Sequence, residues 1–284
     1  MSAREHELAC DLCARACGVD RSQKEGACHT GQEARVASFG PHHGEENPLR
    51  GWRGSGTIFF SYCNLRCVYC QNFEISQAPA GHQVSSKELA AMMLSLQELG
   101  CHNINLVSPS HVVAEILEAL VIAAAAGLNL PLVYNTGGYD SLSALQLLDG
   151  VVDIYMPDMK YGDAGEARKL SKIKRYPEIN QRAVREMHRQ VGDLQLDKDG
   201  LARRGLLVRH LVLPHGAGGT RQVVRFLAEE ISPDTYLNIM DQYRPAHLAQ
   251  KYPAINRAVS GDEYQAALRM AYEAGLHRLD RNIS

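Results

Sequence analysis

The sequence predicts an α/β chain: an incomplete, open (β/α)6 barrel preceded by a small four-cysteine segment. From Thr57 onward, apolar β-branched runs alternate with stretches of helical periodicity, which implies right-handed crossovers and a parallel sheet. The alternation yields six strands, not the eight of a closed barrel. Ahead of it, clustered cysteines stand among turn-forming and charged residues with almost no apolar periodicity. Residues 1–52 are therefore read as a four-cysteine metal-binding segment with a linker. Residues 53–284 are read as the core domain with a C-terminal helical extension.

The chain opens with CDLCARACGVDRSQKEGAC, in which Cys10, Cys13, Cys17 and Cys28 are separated by two, three and ten residues. So short a stretch cannot build a core of its own, and a bound metal would supply the missing folding energy. Four thiolates suit tetrahedral zinc, and the compact triplet equally suits an iron–sulfur cluster; a redox-sensing or disulfide role is a third reading. Residues 31–54, rich in Gly, Pro and His, read as a connecting segment, with His42 and His43 solvated. The predicted elements are then strand 57–62, helix 85–99, strand 104–108, helix 112–126, strand 130–135, a short helix at 141–148 and strand 151–157. Helices within 163–192, strand 206–213, helix 220–231, strand 236–240 and a last amphipathic helix at 262–274 complete the series. Ser85 and Glu88 form a capping box that fixes the first helix start.

Composition narrows the partners. The chain has 284 residues, 45% hydrophobic and 22% charged, with a net charge of -2. No broad basic field marks nucleic acid or an anionic membrane as a partner. No stretch reaches the roughly 18 uninterrupted apolar residues of a membrane span, and the first residues, Met-Ser-Ala-Arg-Glu-His-Glu-Leu, lack an apolar signal core. A cytoplasmic location is expected. In a reducing cytosol, eight cysteines point to metal ligands or catalytic groups rather than disulfides. Cys101 stands alone between a helix and an apolar strand and reads as a small buried hydrophobe.

The chemistry is expected where parallel barrels carry it, at the C-terminal ends of strands. After the first strand comes Cys63-Asn-Leu-Arg-Cys67-Val-Tyr69-Cys70. Three thiolates so spaced can hold three corners of a [4Fe–4S] cluster, and no fourth cysteine stands nearby. One iron would remain open, as in catalytic rather than structural metal sites. The other strand ends offer Ser108, Ser110 and His111, then Asn135 and Thr136, Asp158 and Lys160, Arg209 and His210 with Pro214 and His215, and finally Asn238 to Gln242. Singly these residues fit turn chemistry or ordinary ion pairs; together they define one pocket.

Cys63, Cys67, Tyr69 and Cys70 match Cys-x3-Cys-x-aromatic-Cys, and the chain resembles the radical S-adenosylmethionine (SAM) superfamily from about Trp52 to Pro245. Within it, the YMPDMKY, VRHLVLP and IMDQYRP segments and the four-cysteine N-terminus resemble uncharacterised relatives of pyruvate formate-lyase activating enzyme. The resemblance implies an oxidoreductase-type enzyme on a radical SAM barrel. Cys63, Cys67 and Cys70 would hold the cluster, and SAM would chelate its open iron. Reductive cleavage would then give a 5′-deoxyadenosyl radical for hydrogen abstraction. Tyr69 would lie by the adenine, Asn135 and Thr136 by the ribose or sulfonium, and Lys160, Asp158 and Arg209 by the SAM carboxylate. Activating enzymes hold the SAM amino group with Gly-Gly-Glu, but this chain has Ser108-Pro-Ser-His111, so that contact passes to Ser108 and Ser110. Reduced flavodoxin or ferredoxin is the implied electron donor, and a glycyl radical enzyme the implied protein substrate. Another peptide, an RNA base or a small metabolite is the alternative substrate, and a zinc-binding interaction protein the alternative outside enzymes.

Overall fold

The computed structural model describes residues 3–280. Met1 and Ser2 of the expected leaderless start, and the last four residues of the expected core domain, lie outside the described residues. Nine strands form one sheet: β1 (Ala34–His42), β2 (Ser55–Phe60), β3 (His82–Val84), β4 (Ile104–Val107), β5 (Leu132–Thr136), β6 (Ile154–Pro157), β7 (Gln195–Leu196), β8 (Ala202–Leu211) and β9 (Tyr236–Met240). The α-helices are α1 (Asn47–Arg50), α2 (Phe73–Ser76), α3 (Ser86–Glu98), α4 (Val113–Ala125), α5 (Leu142–Leu147), α6 (Ala164–Ser171), α7 (Tyr176–Val191), α8 (Thr220–Phe226) and α9 (Gly261–Glu273).

Six strands, β2, β4, β5, β6, β8 and β9, run parallel in chain order. These are the six expected from the apolar runs, and β2 and β9 do not pair, so the barrel is left open. Each parallel strand is buried on both faces. Val133, Ile154, Met156 and Leu207 fill the interior with Leu49 from α1. Ile58, Ile104 and Leu106 pack outward on α3 and α4, while Tyr134, Tyr155, Val208 and Ile239 pack outward on α5, α7, α8 and α9.

Three strands lie outside the expected series. Residues 31–54 are not merely a connecting segment, because nine of them form β1, which pairs antiparallel with β2 and carries β3 on its other side. The rest of that segment crosses the open side of the barrel. Glu46 Oε1 accepts from Asn238 Nδ2 on β9 at 2.9 Å, Glu45 lies 3.9 Å from Arg209 on β8, and Leu49 caps the interior. Burial pushes the Glu45 carboxyl up to about 7 against the pull of Arg209, with Glu46 adding to the rise. His42 sets its ring edge-on to Phe59 and is half-buried, whereas His43 is exposed. Among the described residues no helix is long and apolar enough to cross a membrane.

Candidate active site

The loop after β2 is fixed before it carries any ligand. Tyr62 takes a left-handed conformation (φ 67°) that turns the chain off the strand into Cys63. Arg66 and Val68 donate backbone N–H groups to the Ser171 and Leu170 carbonyls at the end of α6, and Leu248 N–H reaches the Val68 carbonyl. Leu65, Val68 and Tyr69 sink into a small core with Tyr161, Leu170 and Tyr176. The loop is therefore held along its length by neighbours contributed from far downstream in the chain, Leu170, Ser171 and Leu248.

Cys63, Cys67 and Cys70 line one cavity of about 140 Å³ together with Ser108, Asn135, Thr136, Asp158, Lys160 and Arg209. A second cavity of about 210 Å³ shares Cys67, Cys70, Asp158, Lys160 and Arg209, and adds Tyr69, Met240 and Gln242. A larger, mainly apolar cavity of about 310 Å³ between the Pro214–Gly216 turn, α8 and α9 takes in His215 but none of the expected cluster or cofactor residues. We place the site at the smaller pair, where the thiols and charged groups converge.

Burial pushes the Cys67 thiol up to about 12, although Lys160 pulls the other way, and burial likewise raises Cys63. Thiols so raised ionise when a metal displaces their protons. Cys67 Sγ lies 2.9 Å from Ser171 Oγ, Cys70 Sγ 3.1 Å from Ser76 Oγ, and Leu65 N–H points at Cys63 Sγ from 3.4 Å. Such hydrogen bonds to sulfur are among the features that set iron–sulfur reduction potentials. Among the described residues, three cysteine thiols line the one cavity and no fourth cysteine does, a donor set that suits a cluster with one open corner.

Opposite the thiols, three charges are locked together. Lys160 Nζ meets Asp158 Oδ2 at 2.5 Å, Arg209 Nε meets Asp158 Oδ1 at 2.9 Å, and a terminal Arg209 nitrogen meets Asn135 Oδ1 at 2.6 Å. Burial would raise the Asp158 carboxyl, but Arg209 and Lys160 hold it below its ordinary value. Lys160 is pulled down by burial and raised, on balance, by Asp158. One carboxylate facing two cations leaves a surplus positive charge on the cavity wall, which suits a carboxylate ligand.

Thr136 and Gly137 also line the wall, at the end of β5, and Gly138 makes their turn possible. It sits at φ 73°, and a Cβ there would stand 2.3 Å from the Asp158 carbonyl and 2.2 Å from Asn180 Nδ2. Behind them Thr136 Oγ1 donates to Asp140 Oδ2 (2.7 Å), Tyr134 donates to Asp140 Oδ1 (3.0 Å), and Ser110 Oγ lies 2.9 Å from Thr136 Oγ1. Ser108 lines the cavity in a left-handed conformation (φ 59°), whereas Ser110 is buried behind it and reaches the site only through Thr136.

Of the expected cofactor residues, Tyr69, Ser108, Asn135, Thr136, Asp158, Lys160 and Arg209 thus meet around the three thiols, and Ser110 stands one residue back. Asn72, Ser76 and Gln77 on the wall were not foreseen; they follow the third cysteine directly, and that adjacency was the available signal. Tyr161 closes the YMPDMKY segment without having been read as a site residue, and Asp140 and Ser171 carry no sequence pattern that marks them.

Solved structures share this fold. One is a radical SAM methyltransferase from Sphaerobacter thermophilus (TM-score 0.52, 15% identity, 78% of this chain and 64% of that one). Another is anSMEcpe with bound AdoMet and Cp18Cys peptide (TM-score 0.52, 12% identity, 75% of this chain and 56% of that one). At such identities the likeness shows the fold, and this chain spans less than two thirds of either solved chain. No protein family model matches the sequence. The chain belongs to the same family as uncharacterised protein MJ0674 of Methanocaldococcus jannaschii, with 31% identity over 277 positions, 94% of this chain and 75% of that protein.

Proposed function

We propose that the protein is a radical SAM enzyme acting on a protein or peptide. The observation that carries this reading is the meeting of three thiols and a surplus positive charge around one cavity at the C-terminal ends of parallel strands. A [4Fe–4S] cluster bound by Cys63, Cys67 and Cys70, supplied with one electron by a reduced flavodoxin or ferredoxin, would chelate SAM and cleave it to methionine and a 5′-deoxyadenosyl radical that takes a hydrogen from substrate. Lys160 and Arg209 hold the SAM carboxylate, each steadied by Asp158. Asn135 and Thr136 offer hydrogen bonds to the ribose, with Asp140 fixing the Thr136 hydroxyl. Ser108 offers its hydroxyl to the amino group. Tyr69 flanks the adenine with its ring held by Tyr161 and Tyr243. β2 and β9 do not pair, with residues 45–49 crossing between them, and the peptide in the structure of anSMEcpe supports a substrate of that class. Activation of a glycyl radical enzyme, whose glycine loop would enter the cavity beside the thiols, is the specific form of the reading.

Protein reconstituted anaerobically with iron and sulfide is expected to turn brown and, once reduced, to release 5′-deoxyadenosine from SAM. Cys67→Ala is expected to abolish that product. Reconstituted wild-type protein that stays colourless and leaves SAM intact would sink the proposal.

A further inference from the structure

The four N-terminal cysteines lie outside the cavity. Cys10, Cys13 and Cys28 are buried and Cys17 is half-buried. A Cβ on Gly26 would stand 3.3 Å from the Cys28 sulfur and 3.5 Å from the Cys17 sulfur, so these two thiols close on one glycine-walled hollow. Arg21, 3% exposed, directs Nε at Cys10 Sγ (3.1 Å) and one terminal nitrogen at Cys28 Sγ (3.6 Å). Its other terminal nitrogen donates to the His111 carbonyl at 2.6 Å, with Glu7 at 3.9 Å. A guanidinium does not lose its charge in proteins. Thiolates, the form that binds metal, are its natural counterparts there.

The N-terminal set shares with Cys63, Cys67 and Cys70 hydrogen-bond donors aimed at sulfur.

The two cysteine sets are stapled together. Arg66, between Cys63 and Cys67, gives one nitrogen to the Cys63 carbonyl (2.9 Å) and the other to the Ala27 carbonyl (2.8 Å), next to Cys28. Arg15, between Cys13 and Cys17, donates to the Asn64 carbonyl at 2.5 Å. The Asn64 amide and the Ala14 N–H both donate to the Tyr139 carbonyl. From Tyr139, ring contacts at 6.1, 5.5 and 6.5 Å lead through Tyr176 and Tyr161 to Tyr69.

We propose that Cys10, Cys13, Cys17 and Cys28 hold a second iron–sulfur cluster, hydrogen-bonded by Arg21 and wired to the first through Arg15 and Arg66. Its coupling to the first cluster rests on the function proposed above; its identity does not. A variant combining Cys63→Ala, Cys67→Ala and Cys70→Ala, stripped of metal and reconstituted, is expected to keep about four irons per chain and an electron paramagnetic resonance signal on reduction. Wild-type protein is expected to hold about eight irons, and its reduced signal to be broadened by magnetic interaction between the two sites. Cys13→Ala with Cys28→Ala is expected to halve the iron and remove the broadening. Arg21→Gln in the triple variant should move the midpoint potential to more negative values. One zinc per triple-variant chain that iron does not displace overturns the proposal. So does a wild-type iron content that Cys13→Ala with Cys28→Ala leaves unchanged, an arm that does not depend on the triple variant folding. Wild-type protein holding eight irons yet inert toward SAM would instead overturn the enzyme reading alone.

Discussion

Asp158 is the residue on which the charge balance of the cavity turns. It faces Lys160 and Arg209 at once, and none of the three side chains has free access to water. Removing one member of a buried pair strands the other charge, which typically costs 3–5 kcal/mol. Asp158→Ala is therefore expected to destabilise the fold by about that amount in denaturant melts, and to weaken SAM binding through misplacement of both cations. Glu45 behaves oppositely. Its folded value, about 7, lies above the ordinary 4.5, so the folded state binds its proton more tightly than the unfolded state does. The stability it contributes is complete below about pH 4.5 and is lost as pH rises through about 7. Glu45→Gln should accordingly gain on the wild type across that window, by about 3 kcal/mol, and run parallel to it outside; melting curves recorded from pH 4 to 8 check this.

Among the elements, those with strong local signals were legible. The six parallel strands are apolar on both faces because helices and the barrel interior bury both, so each shows as an unbroken run. The Ser85–Glu88 capping box forms as read, with Glu88 N–H on Ser85 Oγ at 3.3 Å and Ser85 N–H on Glu88 Oε2 at 2.8 Å. Ser85→Ala is expected to cost about 1 kcal/mol, seen as a melting shift of about 2–4 °C. β1 was not legible, since it carries Gly40 and Pro41 and β3 covers only its first three residues. Proline is tolerated where a strand edge lacks a partner, and such edges lack the alternation that identifies strands. The stretch between Cys63 and Arg209 showed its polar strand ends by position alone. Glu45 and Ser171 were hidden because their partners, Arg209 and Cys67, lie far away in sequence, whereas Arg21 stands between Cys10 and Cys28 with no pattern to mark it.

At the scale of the whole molecule, the N-terminal segment is docked on the barrel by Cys10 and Leu12 in the main core and by arginine and backbone hydrogen bonds, while its first turn is held by charged contacts. Arg4 makes a paired contact with Glu118 at 2.7 Å to each oxygen, reaches Glu7 at 2.9 Å, and lies 3.6 Å from Glu115 on α4. Regions held by few contacts open locally at less than the global free energy. Arg4→Ala is expected to speed amide exchange across residues 5–30 several-fold and leave that of β4–β6 unchanged, as read by hydrogen–deuterium exchange.

The same docking has a consequence for biosynthesis. Cys13 is paired through its backbone with Asp140, and Ala14 with Tyr139, so the first four cysteines leave the ribosome long before the surface that receives them exists. At about 5–20 residues per second, synthesis of the intervening chain takes roughly 6–25 s. During that interval the nascent thiols are open to zinc, oxidants and one another. For the proposed cluster this means that iron and sulfide are expected to enter after β5 emerges, the thiols being kept reduced and empty until then.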